Sequence, residues 1–439
     1  MVNYIHNKEQ GAMIMRRFIY LLCVSICLFS ALLMPVKAKT PIVMWFSSQP
    51  VPVSEWAASF EEEFNKRNPD IRLSVEMHPS VSALREKLIV AVAGGVAPDI
   101  FYESANVMSQ WILSKLAMPI DRYLNAMPDR SDLIPDVVRA LRYDGKTWAL
   151  PFSVWPIGDL YNMDMLEGHG LAKPTNWREL EATARRLLQV GEGGQINVFG
   201  YRKANTGLMN FIDLQLAMEQ LGSTTITPEG TRSNLRSDEA RQALTFLRNI
   251  VQAGMPNSSG GSDLGSILGG RVAIQHMYPG YELIKIADQI SAAGLNLEFH
   301  RYVGPESRRD LVHHNAGTFF IVSSTKHPDE AWRVLEAFLE RRTLKGYLLA
   351  HGASLSIRLS HRTDPDLLAR PYCASLIESL VSPITSYGPT NPYYPYFRQP
   401  VGDFLLQAVN GQLAIETALE QGADLMDAIV AERIALDES

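Results

Sequence analysis

Between residues 41 and 112 the chain alternates short runs of strand periodicity with stretches of helical periodicity, and that alternation restricts the fold more than any other feature. Residues 41–46, PIVMWF, are an apolar run of strand length. Trp56, Phe60 and Phe64 recur at intervals of four, one face of a helix that Ser54 is placed to cap and that ends near Pro69. Ile71, Leu73, Val75 and Met77 alternate with polar residues, the period of a half-buried strand. A second helix starts near Ser82, carries Leu84, Leu88 and Ala91 on one face and stops at Gly94-Gly95. Asp99-Ile-Phe-Tyr is the next strand, and Val107, Trp111 and Ile112 mark the helix after it. Strand–helix–strand–helix–strand predicts a parallel α/β sheet. Ligands bind beyond the carboxyl ends of strands in such sheets. The spacing therefore puts residues 46–48, 78–80 and 102–104 on one rim, among them Phe46, Ser47, His78, Tyr102 and Glu103.

The alternation resumes further along. Asn176 with Glu179 is a variant capping box at a helix start. Residues 238–253 read as an amphipathic helix, and 257–270, rich in Gly and Ser, as a mobile loop. Residues 318–322 read as a buried strand, and Pro328 opens a helix with Ala331, Val334, Leu335 and Phe338 inward. Two helices close the chain, near 401–410 and 414–436. With 439 residues there is room for two domains.

The N-terminus has another character. Arg16 and Arg17 precede an apolar run over 18–34, and Val36-Lys37-Ala38 follows with small residues where a peptidase needs them. That is the layout of an export signal over residues 1–38. Its loss removes four basic residues, Lys8, Arg16, Arg17 and Lys37, and one acidic residue, Glu9, so the formal net charge goes from −6 to −9. A mature chain this acidic argues against a nucleic-acid partner, which requires a basic face. Cys23 and Cys27 leave with the signal, and Cys373 then stands alone, so no internal disulfide is possible.

Several segments, in order, resemble one known family. They are PIVMWFSS, AVAGGVAPDIFY, YDGKTWALPF from Tyr143, LYNMDML from Leu160, PTNWREL from Pro174, GGRVAI from Gly269 with Tyr278-Pro-Gly-Tyr281 behind it, and SSTKHPDEAW from Ser323. Together they are similar to the family 1 extracellular solute-binding proteins, the carbohydrate receptors of ABC importers. The resemblance implies an α/β, two-lobe periplasmic-binding-protein fold, with three interlobe crossovers and a ligand cleft between the lobes. Carried onto this chain, the crossovers fall near 150–153, 313–317 and 350–355. The lobes are then 39–150 with 314–349, and 151–313 with 350–439. The implied partners are a small carbohydrate and the permease subunits of an importer, the implied location is the periplasm, and a monomer without cofactor is expected.

Sugars are held by aromatic faces and by planar charged or amide groups that engage two adjacent hydroxyls. Tyr102 and Glu103 on the rim fit that chemistry, as do Phe152 and Trp155 at the first crossover. Tyr278 and Tyr281 fit as well, Tyr281 matching the family's ligand-stacking aromatic, and Arg358 follows the third crossover. Each has an alternative: hinge packing for Trp155, a solvated loop acid for Glu103, an interlobe ion pair for Arg358. Trp45 ends a strand and can face cleft or core; Trp56, Trp111, Trp148, Trp177 and Trp332 occupy core positions. His313-His314 with Asp310 has no metal-ligand spacing, so no metal is expected. No acid pair marks a glycoside hydrolase and no GxSxG marks a serine nucleophile. The remaining alternative is a receptor for a polyol or a glycerol phosphoester, for whose phosphate Arg358 and Lys203 are the candidate cations.

Overall fold

The computed structural model describes residues 38–47, 51–261, 263–306, 309–380, 384–386 and 391–437. The export signal falls outside these, as does Ser48 of the rim. Among the described residues no helix is long and apolar enough to cross a membrane.

One sheet of nine described strands runs through the whole molecule. Its strands are β1 (Thr40–Ser47), β2 (Ile71–His78), β3 (Ile100–Ser104), β4 (Leu150–Asn162), β5 (Ile274–Pro279), β6 (Leu297–His300), β7 (Leu311–Ile321), β8 (Leu355–Ser356) and β9 (Ile384–Ser386). β1 pairs in parallel with β2, from Thr40 opposite Ile71 to Ser47 opposite His78, and in parallel with β3. The parallel expectation holds for these three. It fails at β7, which lies antiparallel between β3 and β4 because it re-enters from the far lobe.

β4 is the element the two lobes share. Its first half pairs with β7, Leu150 opposite Phe319 through Pro156 opposite His314, and with β8. Its second half pairs with β5, beginning at Ile157 opposite Pro279, and with β6. The first passage between lobes thus falls at Pro156–Ile157, slightly later than expected. The third is later still. Ile134 N donates to Ile357 O at 2.8 Å and Leu133 bridges Arg358, so the chain just after β8 remains on the first lobe.

The helices named below are α1 (Val51–Arg67), α2 (Val81–Ala93), α3 (Trp177–Leu187), α4 (Gly207–Gln220), α5 (Asp238–Gly254), α6 (Gly280–Lys285), α7 (Pro328–Leu339), α8 (Arg341–His351), α9 (Cys373–Ser379), α10 (Tyr394–Val409) and α11 (Ile415–Asp437). α1 starts three residues before Ser54, since Pro52 fits a helix's first turn, where an N–H has no acceptor to lose. Ser80 caps α2 through a bond from Ala83 N at 3.1 Å. Asn176 caps α3, but Glu179 reaches back to Thr175 rather than Asn176, shifting the capping box by one residue. α10 begins well before 401: Pro395 sits in its first turn and Pro400 lies within it, which masks the helix in the sequence.

The first-lobe sheet is buried on both faces. On one, Phe46, Tyr102, Phe152, Phe319, Phe338 and Tyr347 form a continuous aromatic core, with Phe152 stacked on Phe319 at 4.4 Å. On the other, Trp45, Phe101, Trp111 and Phe320 pack together. The second lobe closes α3, α4, α5, α10 and α11 around Phe211, Leu244, Phe397 and Leu405. A Cβ at Gly402 of α10 would run into the backbone of Gly207, so this helix contact requires glycine.

Within the second lobe lies a buried charged cluster. His276 of β5 places Nδ1 2.7 Å from Asp159 of β4 and Nε2 3.0 Å from Asp213 of α4. Lys203 pairs with Asp213 and donates to Asn210 Oδ1 at 2.9 Å. Burial alone would lower the His276 pKa, but Asp213 and Asp159 outweigh it and raise it to about 9. The unfolded chain titrates this group at about 6.5. The folded state therefore holds the extra proton between those values, and the stability it contributes is complete below about pH 6.5 and lost as pH rises through about 9. Thermal melts should show Tm falling over that interval, by up to about 1.4 kcal/mol of stability per pH unit. In Asp159→Asn, which removes one carboxylate, the fall should begin at lower pH.

Candidate functional site

The carboxyl ends of β1, β2 and β3 meet the shared strands β4 and β7. Three partly exposed groups gather there from different elements. Trp155 of β4 lies directly opposite Asn315 of β7. Ser104 at the end of β3 donates to Asn315 Oδ1 at 3.0 Å. Tyr281, on α6 of the second lobe, meets the Trp155 ring edge to face, centroids 6.0 Å apart at 78°. Lys285, one turn further along α6, covers the Tyr281 ring at 4.6 Å. Tyr102 of β3 is near enough to Tyr281 for their hydroxyls to interact electrostatically; burial, then Glu103, pushes the Tyr102 hydroxyl up. Residues of the first lobe, the shared strand and the second lobe thus converge around Trp155.

The outer part of the rim is built differently from the sequence expectation. Glu103 is fully buried and already engaged: Arg85 of α2 forks onto it, Nε at 2.5 Å and Nη2 at 2.8 Å, and Ser104 N adds a bond at 2.7 Å. It is neither a solvated loop acid nor a carboxylate with free oxygens. The guanidinium is the exposed member of the pair, with 35% of its side chain open. Trp45 is buried, with His78 4.7 Å from its ring and Lys87 4.3 Å above it. His78 Nε2 and Trp45 Nε1 are both enclosed and have no hydrogen-bond partner among the described residues. Burial, then Lys87, lowers the His78 pKa, keeping that imidazole neutral. Ser47 is buried beside them.

Four expected residues lie elsewhere. Phe46 and Phe152 belong to the first-lobe aromatic core: Phe46 sits 5.0 Å from Tyr102, and Phe152 is enclosed by Phe319, Phe338 and Tyr347. Tyr278 is buried on the opposite face of β5 from Met277, packed with Leu283 and Ile286. Arg358 is 1% exposed and inside the first lobe, so it is neither a ligand contact nor an interlobe pair. Its Nη1 meets Asp129 at 2.7 Å and Asp132 at 2.9 Å, and its Nε donates to Leu339 O at 2.6 Å. Burial would raise the Asp132 carboxyl, but Ser360 and Arg358 outweigh it and pull it down to about 2.

Arg85, Lys87, Asn315 and Lys285 were not anticipated. Arg85 and Lys87 lie in the turns of α2 that follow the end of β2, so their place near the rim was readable; the partner of Arg85 was not. Both candidate phosphate cations are enclosed and paired, Arg358 as above and Lys203 with Asp213. His313 and His314 are pushed down to about 4 and about 3 by burial and stay neutral. Among the described residues no group of three or more His, Cys, Asp or Glu could hold a metal ion.

Comparison with known proteins places this geometry. The family described as bacterial extracellular solute-binding protein matches residues 47–342. A maltotriose-binding protein of Pyrococcus abyssi is 29% identical over 125 residues, 28% of this chain and 26% of that relative, so the match spans about a quarter of its length. Among solved structures, the sugar-binding protein MalE of Xanthomonas citri superposes with a TM-score of 0.77 at 19% identity, over 91% of this chain and 100% of that one. The cyclic alpha-maltosyl-1,6-maltose binding protein of Arthrobacter globiformis gives 0.74 at 18% identity, over 90% and 100%. At such identities these structures show a shared two-lobe fold.

The Arg358 network predicts a mutational signature. Arg358→Ala leaves Asp132 buried without its cation, and should cost about 3 kcal/mol or more in denaturant unfolding. Calorimetry on the folded fraction should find ligand affinity unchanged. A weaker complex with normal stability would return Arg358 to the ligand.

Proposed function

The chain belongs to the bacterial extracellular solute-binding protein family, and we propose that it captures a sugar or oligosaccharide in an interlobe cleft and delivers it to the permease of an ABC importer. Receptors of this family bind rather than transform their ligands and act outside the cytoplasm. The finer statements belong to the proposal: a periplasmic location, a signal cleaved near Ala38, and a monomer that meets permease subunits. So do the lobe limits, 39–150 with 314–349 and 151–313 with the C-terminal part, the last boundary drawn after Ser360 rather than at 350.

The edge-to-face pair of Trp155 and Tyr281 carries this reading. Two partly exposed aromatic rings, one on the strand shared by the lobes and one on the second lobe, offer apolar faces to the C–H surface of a pyranose. The polar groups beside them are Asn315, Ser104 and the exposed Arg85, suited to hydroxyls. A neutral ligand is favoured over a phosphoester, because Arg358 and Lys203 are both spent on internal carboxylates.

Trp155→Ala and Tyr281→Ala should each weaken the complex by about 1–3 kcal/mol, roughly ten- to hundred-fold in Kd by calorimetry, with a small change in Tm. Trp332→Ala is the control. Trp332 is 6% exposed and stacked on Tyr123 at 5.2 Å, so its loss should lower Tm and spare affinity. Normal affinity with a destabilised fold in the first two variants would move those rings from ligand to core.

A further inference from the structure

A cavity of about 540 Å³ lies away from the Trp155–Tyr281 pair, and none of the ten residues expected from the sequence lines it. It opens between Tyr143, in the hairpin 142–147 of the first lobe, and the second lobe's α4, its 224–231 loop and its 391–393 segment. Two polar atoms at its wall are buried and without a hydrogen-bond partner among the described residues: Gln215 Oε1 and Thr227 Oγ1. Gln215 is 4% exposed, on α4. Its Nε2 donates to Glu219 Oε1 at 2.9 Å, and that carboxylate fixes which end of the amide faces it, leaving Oε1 as an acceptor with no donor.

Buried acceptors are rarely left unpaired, since an unmade bond forfeits the water it displaced. The lining indicates what could supply the donors. Among the described lining residues none is Lys, Arg or His, while Glu219 and Glu229 are acidic, so an anion is disfavoured. Tyr143 and Tyr393 provide aromatic surface, and Asn391 and the threonines provide amide and hydroxyl groups. The volume lies within the range of small-molecule sites, about 300–1,000 Å³.

We propose that this cavity is a second ligand site, separate from the Trp155–Tyr281 pair, which takes a neutral polyhydroxylated molecule whose hydroxyls donate to Gln215 Oε1 and bond Thr227 Oγ1. A ligand there touches Tyr143 of one lobe and Gln215 of the other, so it also bears on their separation. A ring sugar and an open-chain polyol share this chemistry, and the two probes in the test distinguish them.

The test is calorimetric titration of maltotriose and of ribitol into the purified wild-type protein and the variants Gln215→Leu, Thr227→Val and Trp155→Ala. At least one probe should show a binding component that Gln215→Leu and Thr227→Val each weaken by about tenfold or more and Trp155→Ala leaves in place. Gln215→Leu removes the orphan acceptor, so its Tm should not fall; if it does not fold, Thr227→Val carries the test alone. Binding that Trp155→Ala abolishes and both cavity variants leave intact overturns this inference and spares the sugar-receptor reading. A component lost only in the cavity variants supports the inference and counts against the role of Trp155. No binding of either probe to the wild-type protein overturns the inference as well.

Discussion

The molecule depends on one strand with two sets of partners. β4 spans thirteen residues and spends its backbone hydrogen bonds on first-lobe strands up to Pro156 and on second-lobe strands from Ile157. A strand interior cannot leave those groups unpaired in an apolar setting, so neither lobe completes its sheet without it. β7 repeats the arrangement in reverse, pairing with β3 and β4 at one end and with β9 at the other. The lobes are joined by continuous hydrogen-bonded backbone rather than by a flexible linker, and Trp155 and Asn315 lie on it, side by side.

The charged groups divide the two lobes' work. In the second lobe His276, Asp159, Asp213 and Lys203 tie β4, β5 and α4 together in a site sealed from water, where breaking any pair strands a charge. His276 precedes Met277, a non-glycine residue at φ +55°, which in turn precedes Tyr278 and the turn into α6. The cluster thereby anchors the backbone that presents Tyr281. In the first lobe Arg358, Asp129 and Asp132 fasten the C-terminal return, and Arg85 holds Glu103 at the strand ends.

Much of the fold was legible because it rests on periodicity. The alternation from β1 to β3 and the caps at Asn176 and Pro328 are local patterns, and local patterns are written in neighbouring residues. The site was less legible, for a physical reason. β4 is buried on both faces through most of its length, so Phe152 and Trp155, three residues apart, look alike in sequence while one fills the core and the other reaches the rim. Charge partners are equally hidden. Arg85 finds Glu103 across 18 positions and Arg358 finds Asp132 across 226, separations over which no spacing rule operates. Gln215 and Thr227 matter for what they lack, and that only the packed structure shows.

The central claim is that ligand is gripped between lobes joined at β4 and β7. A ligand that touches both lobes favours the closed arrangement by its differential affinity for it. Small-angle scattering on the protein alone, and with a sugar shown by calorimetry to saturate it, measures this directly. The account predicts a smaller radius of gyration with the sugar bound, and a reduced change in Tyr281→Ala at the same occupancy. An unchanged radius of gyration at full saturation would contradict it.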